Sequence, residues 1–149
     1  RPGTENVPGI VAMGKAVELA ASDMEKENAR LTVLRDKLIK GVTENISHVR
    51  LAGHPTRRLP NNANFVFEFI DGGAMLLNLD MHGVAASSGS ACTAGTVSAS
   101  HVLLAMGIPH QIAYGSLRLT LGRSNTDEDV ERFLELMPQI IERLRKNVS

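Results

Sequence analysis

Apolar side chains recur at three- and four-residue intervals from residue 10 to about residue 46, with Val17, Ala20, Ala21, Met24, Leu31, Leu34, Leu38 and Val42 on one stripe. That spacing predicts a long amphipathic helix, bent in the charged stretch 25–30. The period then changes. Residues 49–52 and 63–69 read as strands, the second with Phe65, Phe67 and Phe69 alternating onto one face. Arg57, Arg58 and a Leu-Pro-Asn-Asn turn join them. Residues 72–81 suit a short helix ended by Gly83, and 84–87 a short strand. Ser100 is placed to cap a helix running to Met106, and 116–121 reads as a strand. Thr126 opens the last helix with Asp129 three residues on as its capping-box partner, and Val130, Phe133, Leu134, Met137, Ile141 and Leu144 form its apolar stripe. Strands interleaved with amphipathic helices imply an α/β sandwich, a sheet covered mainly on one face.

Composition narrows the classes. The 149 residues are 43% hydrophobic and 21% charged, enough for a single domain with a real core over residues 1–149. Sixteen basic residues balance sixteen acidic ones and are interspersed with them, which argues against nucleic acid and a membrane surface as partners. A single cysteine excludes an intrachain disulfide framework, and no apolar run reaches the ~20 residues needed to span a bilayer. With no signal peptide in view, the cytoplasm is the expected compartment. The opening Arg1-Pro2-Gly3-Thr4, without an initiator Met, reads as the interior of a longer polypeptide.

Several chemistries find no support. The phosphate-binding G-x-x-x-x-G-K-[ST] run, the H-E-x-x-H pair and the G-x-S-x-G elbow are all missing. His48, His54, His82, His101 and His110 are scattered, none with a second ligand at metal spacing, so no metal site is expected. The acidic triplet 127–129 suits the positive end of a helix dipole rather than a catalytic dyad.

Two residues carry candidate chemistry. Cys92 lies within Ser-Ser-Gly-Ser-Ala-Cys-Thr-Ala-Gly, residues 87–95, where glycines and small hydroxyl residues favour an exposed loop over a regular element. Exposure favours reactivity, yet the thiolate fraction cannot be read from sequence, so a reactive and an inert thiol both stay open. Arg118 stands in Ser-Leu-Arg-Leu-Thr-Leu, where Leu117, Leu119 and Leu121 share one strand face and Arg118 points to the other. A solvated arginine fits that position. So does a guanidinium held on a rigid strand to grip a carboxylate through two parallel hydrogen bonds. Arg123, beyond Gly122, is the weaker candidate because it lies at a strand-to-helix turn.

Together, Arg-Pro-Gly-Thr-Glu-Asn-Val-Pro-Gly at the start, the cysteine segment, and Gly-Ser-Leu-Arg-Leu-Thr-Leu-Gly-Arg resemble the C-terminal part of a cysteine desulfurase of the NifS/IscS type. The resemblance covers essentially the whole chain. It implies the small C-terminal domain of a fold-type I pyridoxal 5'-phosphate (PLP) enzyme, with a mixed sheet and the N-terminal PLP-binding large domain absent. The activity it implies is conversion of L-cysteine to L-alanine, with sulfur passed as a persulfide to an iron–sulfur scaffold or another acceptor. By the same resemblance Cys92 carries the persulfide, Arg118 anchors the substrate carboxylate, and Thr4 contacts the PLP phosphate of the neighbouring subunit in a homodimer. Read without it, Thr4 is a turn or capping residue. The five lysines, Lys15, Lys26, Lys37, Lys40 and Lys146, all fall on predicted helices and none sits in the Ser-x-His-Lys setting that the resemblance implies for the Schiff base, so that lysine is not expected in this chain and the isolated chain is expected to be inactive. A free-standing sulfur-carrier or dimerisation module, or a related PLP lyase such as a selenocysteine lyase, is the competing reading.

Overall fold

Asn6 starts the first helix, its side-chain oxygen accepting the Gly9 N–H at 3.1 Å, and Pro8 occupies a first-turn position where no amide donor is needed. In the computed structural model, which describes residues 3–88 and 99–146, this helix (α1, Val7–Asn45) runs through the charged stretch 25–30 as one element. Its buried stripe begins only at Leu31 and continues through Leu34, Arg35, Leu38 and Val42. Val7, Ile10, Val11, Met13, Val17 and Met24 are each more than half exposed. The periodicity is therefore longer than the surface that covers it: among the described residues only the second half of α1 lies against the sheet and the last helix.

The sheet comprises β1 (Val49–Leu51), β2 (Asn62–Phe67) and β3 (Ser116–Thr120) in that spatial order. β1 pairs antiparallel with β2 (Val49↔Phe67, Leu51↔Phe65), and β2 pairs antiparallel with β3 (Asn64↔Arg118, Phe65↔Leu117). The expected mixed sheet is thus replaced by an antiparallel one among the described residues. For β1 and β2 the cause is the connection 52–61, too short for a parallel crossover of a dozen or more residues. The strand expected over 84–87 contracts to a single antiparallel bridge, Ser87↔Arg118, while Val84 and Ala86 pack half-buried against the core.

Between β2 and β3 lie α2 (Gly72–Met81), α3 (His101–Ala105) and α4 (His110–Ala113), and α5 (Asp127–Lys146) closes the fold. One sheet face presents Ala63, Phe65, Phe67, Leu117 and Leu119 to α1, α2 and α5, forming the main core with Leu38, Met75, Phe133 and Met137. On the other face Val66 gathers a smaller cluster of Ala52, Ala99, Leu103 and Ala113. The last helix starts as expected: Thr126 N–H donates to Asp129 Oδ2 at 3.0 Å and Asp129 N–H returns to Thr126 Oγ1 at 3.3 Å. Ser100 stands before α3, but its side chain makes no capping bond. Gly41 lets α1 and α5 approach, since a Cβ there would overlap Leu134.

Phe69 departs from the predicted alternation. β2 ends at Phe67, whose N–H donates to Gly115 O at 2.9 Å, and Phe69 adopts φ 62° with 64% of its surface exposed. A left-handed residue breaks the two-residue period, so Ile70 takes the buried place and the Phe69 ring meets His48 edge-on at 5.5 Å. Gly115 is required at this junction, because a Cβ would overlap the Phe67 carbonyl.

Candidate functional site

Arg118 occupies the central position of β3, on the face away from the main core. Its backbone is fixed on one side by Ser87, which donates to Arg118 O at 3.2 Å and accepts from Arg118 N at 2.6 Å. On the other side it faces Asn64 in strand register. Phe67 N–H bonds to Gly115 O and Leu121 N–H to Asn61 O, so the hydrogen-bonded pairs of this ladder fall on odd-numbered residues. Asn64 and Arg118 therefore form a non-hydrogen-bonded pair, the kind whose side chains stand closest. The result is a polar row, Asn64, Arg118 and Ser87, across three adjacent backbone segments.

Within the row, Arg118 Nη2 donates to Ser87 Oγ at 3.4 Å, and Ser87 Oγ donates to Ser88 O at 2.9 Å. Asn64 Oδ1 is buried and accepts no hydrogen bond from the described residues. A guanidinium offers five N–H groups, so the row retains donors for an added anion. Ser87 is also the first residue of the cysteine segment, which places the start of that segment against Arg118. Cys92 itself lies outside the described residues.

The turn beyond β3 is fixed from α1. Arg30 donates to Asn125 O at 2.7 Å, to Gly122 O at 3.1 Å and to Glu27 Oε2 at 3.2 Å, while Gly122 N–H donates to Asn125 Oδ1 at 2.8 Å. The hydrogen bond from Arg30 holds the Glu27 carboxyl below its ordinary pKa and raises that of Arg30 in turn. Arg123, the weaker sequence candidate, pairs with Asp23 of α1 at 2.7 Å.

Thr4 is exposed two residues before the cap of α1 and is not brought to the Arg118 row. From Val7 to Asp23, where α1 first meets Arg123, sixteen helical steps span roughly 24 Å. The lysines lie on α1 and α5 as expected, with Lys15 paired to Glu18, Lys37 to Asp127 and Glu131, and Lys146 to Glu142. None belongs to the row around Arg118. Among the described residues no group of three or more His, Cys, Asp or Glu could hold a metal ion, and no helix is long and apolar enough to cross a membrane. Asn64 and Ser87 are the residues that sequence reasoning missed. Asn64 shows there only as a polar position alternating with Ala63 and Phe65, and nothing local reveals which strand it will face.

The sheet and its covering helices find counterparts among known proteins. The chain belongs to the aminotransferase class-V family, whose model matches residues 1–133. It is 54% identical over 145 residues to the cysteine desulfurase IscS of Methanosarcina thermophila, covering 97% of this chain and 36% of that protein. With the cysteine desulfurase IscS 1 of Archaeoglobus fulgidus the identity is 53%, over 97% of this chain and 38% of the relative. The X-ray structure of the NifS-like protein from Rickettsia africae superposes with a TM-score of 0.83 at 30% identity, over 95% of this chain and 36% of that one. The chain thus spans little more than a third of the length of the relatives it matches.

Proposed function

We propose that this chain is the small C-terminal domain of a PLP-dependent cysteine desulfurase, acting in a homodimer on L-cysteine in the cytoplasm and supplying sulfur to an iron–sulfur scaffold or another acceptor. The observation that carries the reading is the row around Arg118: a cation on a strand held from both sides, bonded to the first residue of the cysteine segment. Arg118 grips the substrate carboxylate with paired N–H groups, fixing the substrate's orientation. Cys92 follows Ser87 by five residues, a span of at most ~18 Å of extended chain, so chain length keeps the thiol near the bound substrate.

The residues present suit PLP as contributors to its site rather than as its holder. Thr4 offers a hydroxyl ahead of the positive end of α1 for the phosphate of the neighbouring subunit's cofactor, and no lysine of this chain stands in the arginine row. When bound, PLP supplies the electron sink that makes the Cβ–Sγ bond of cysteine labile. The Cys92 thiolate then attacks the substrate Sγ. An S–S bond forms as the Cβ–Sγ bond breaks, the electron pair of the broken bond stays on carbon, and that carbon takes a proton to become alanine. Sulfur remains on Cys92 as a persulfide, ready for an acceptor thiolate.

The test is Cys92→Ser in the complete enzyme. Folding and cofactor binding should survive, because the neighbouring residues in sequence are small and polar, whereas a protein persulfide should no longer accumulate. Intact mass after exposure to L-cysteine reads the outcome as a reductant-labile sulfur adduct mapping to the Cys92 peptide. An adduct that persists in the Ser variant, or sulfur release at the normal rate, overturns the role of Cys92.

A further inference from the structure

A buried acceptor without a donor is costly, because it has given up water and received nothing in exchange. Among the described residues Asn64 Oδ1 is such an atom. It lies on β2 directly opposite Arg118, in the close type of antiparallel pair. Among the described residues the guanidinium of Arg118, meanwhile, makes one long hydrogen bond, 3.4 Å to Ser87 Oγ. Gripping a carboxylate side by side uses two of its five N–H groups, and Ser87 takes a third. Two remain.

From this geometry, and resting on the carboxylate role of Arg118 proposed above, we infer that Asn64 is a positioning residue for that arginine. When Arg118 turns to pair with the substrate carboxylate, a remaining N–H donates to Asn64 Oδ1, and Ser87 holds the opposite edge. The unpaired acceptor is satisfied in the bound state alone, so part of the cost carried by the free protein is relieved on binding. The choice of amide is significant. A neutral oxygen orients the guanidinium without cancelling its charge, whereas a carboxylate in its place would pair with Arg118 and compete with the substrate.

Two variants of the complete holoenzyme separate this role from a structural one. Asn64→Leu keeps the approximate shape and removes the acceptor. The inference requires KM for L-cysteine to rise roughly tenfold, the size of one hydrogen bond to a charged group, with kcat little changed. The melting temperature should hold or increase, because a buried unpaired atom is gone. Asn64→Asp restores an acceptor but adds charge, and its KM should rise further than that of the Leu variant. If KM is unchanged in Asn64→Leu, or rises in both variants only in step with a falling melting temperature, the inference is overturned. Arg118→Ala distinguishes the two layers: a raised KM there beside a normal KM in Asn64→Leu removes only the role of Asn64, whereas a normal KM in Arg118→Ala removes the underlying reading.

Discussion

Arg118 is the residue on which the carboxylate reading turns, and its setting explains why an arginine serves there. The planar guanidinium presents two parallel N–H groups to a carboxylate, which an ammonium on a flexible stem does not. Ser87 fixes the strand on one side and β2 on the other, so little backbone freedom is lost when a ligand binds. In the complete enzyme, Arg118→Ala should leave PLP bound while kcat/KM for L-cysteine falls at least tenfold. A hydrogen bond to a charged group contributes about 1.5–3 kcal/mol, and ~1.4 kcal/mol is a factor of ten. Steady-state kinetics beside the cofactor absorbance check it, and unaltered kinetics return Arg118 to a solvated strand position. The sequence singles out Cys92 as a candidate by the company it keeps, small and hydroxyl residues between glycines. Asn64 could not be found that way, since its significance lies in facing Arg118 across a ladder whose register depends on residues more than fifty positions away.

At the scale of elements, arginines close the connections that local sequence leaves loose. Arg58 donates to His54 O and Ala52 O, each at 2.9 Å, and to Asn62 O at 3.3 Å, tying together both ends of the β1–β2 connection. Burial is the main cause holding its pKa below the ordinary arginine value, as expected of a cation whose water has been replaced by carbonyls. Arg58→Ala should lower the unfolding free energy by roughly 1.5–3 kcal/mol, since three carbonyls lose a charged donor; urea denaturation measures it, and an unchanged midpoint would show that water replaces the guanidinium at no cost. The sequence marked Arg57 and Arg58 only as members of a connection, because a clamp is a property of folded geometry. Elements governed by local rules were legible: the Thr126–Asp129 capping box and most of the α5 stripe follow from spacing alone. Those governed by tertiary competition were not. Phe69 left its predicted face because a left-handed backbone ended the alternation, and 84–87 lost its strand because only Ser87 found a pairing partner beside β3.

For the whole molecule, the distribution of chemistry is uneven. The arginine row, the start of the cysteine segment and the buried half of α1 belong to one body, while Thr4 and the first half of α1, with Val7, Ile10, Val11 and Met13 exposed, extend beyond it. On the proposed reading the chain supplies a carboxylate grip and a sulfur carrier but not the lysine that anchors PLP: Lys37 is engaged with Asp127 and Glu131, Lys15 with Glu18 and Lys146 with Glu142, and Lys26 and Lys40 lie on α1. The chain by itself, mixed with PLP and L-cysteine, should accordingly produce no alanine above the level given by free PLP. A control bearing Cys92→Ser and Arg118→Ala accounts for adventitious PLP adducts on surface lysines. Alanine formed catalytically by the wild-type chain and not by this double variant would mean that one of the five lysines reaches the arginine row, and the proposed reading of this chain as a domain without the PLP-anchoring lysine would fall.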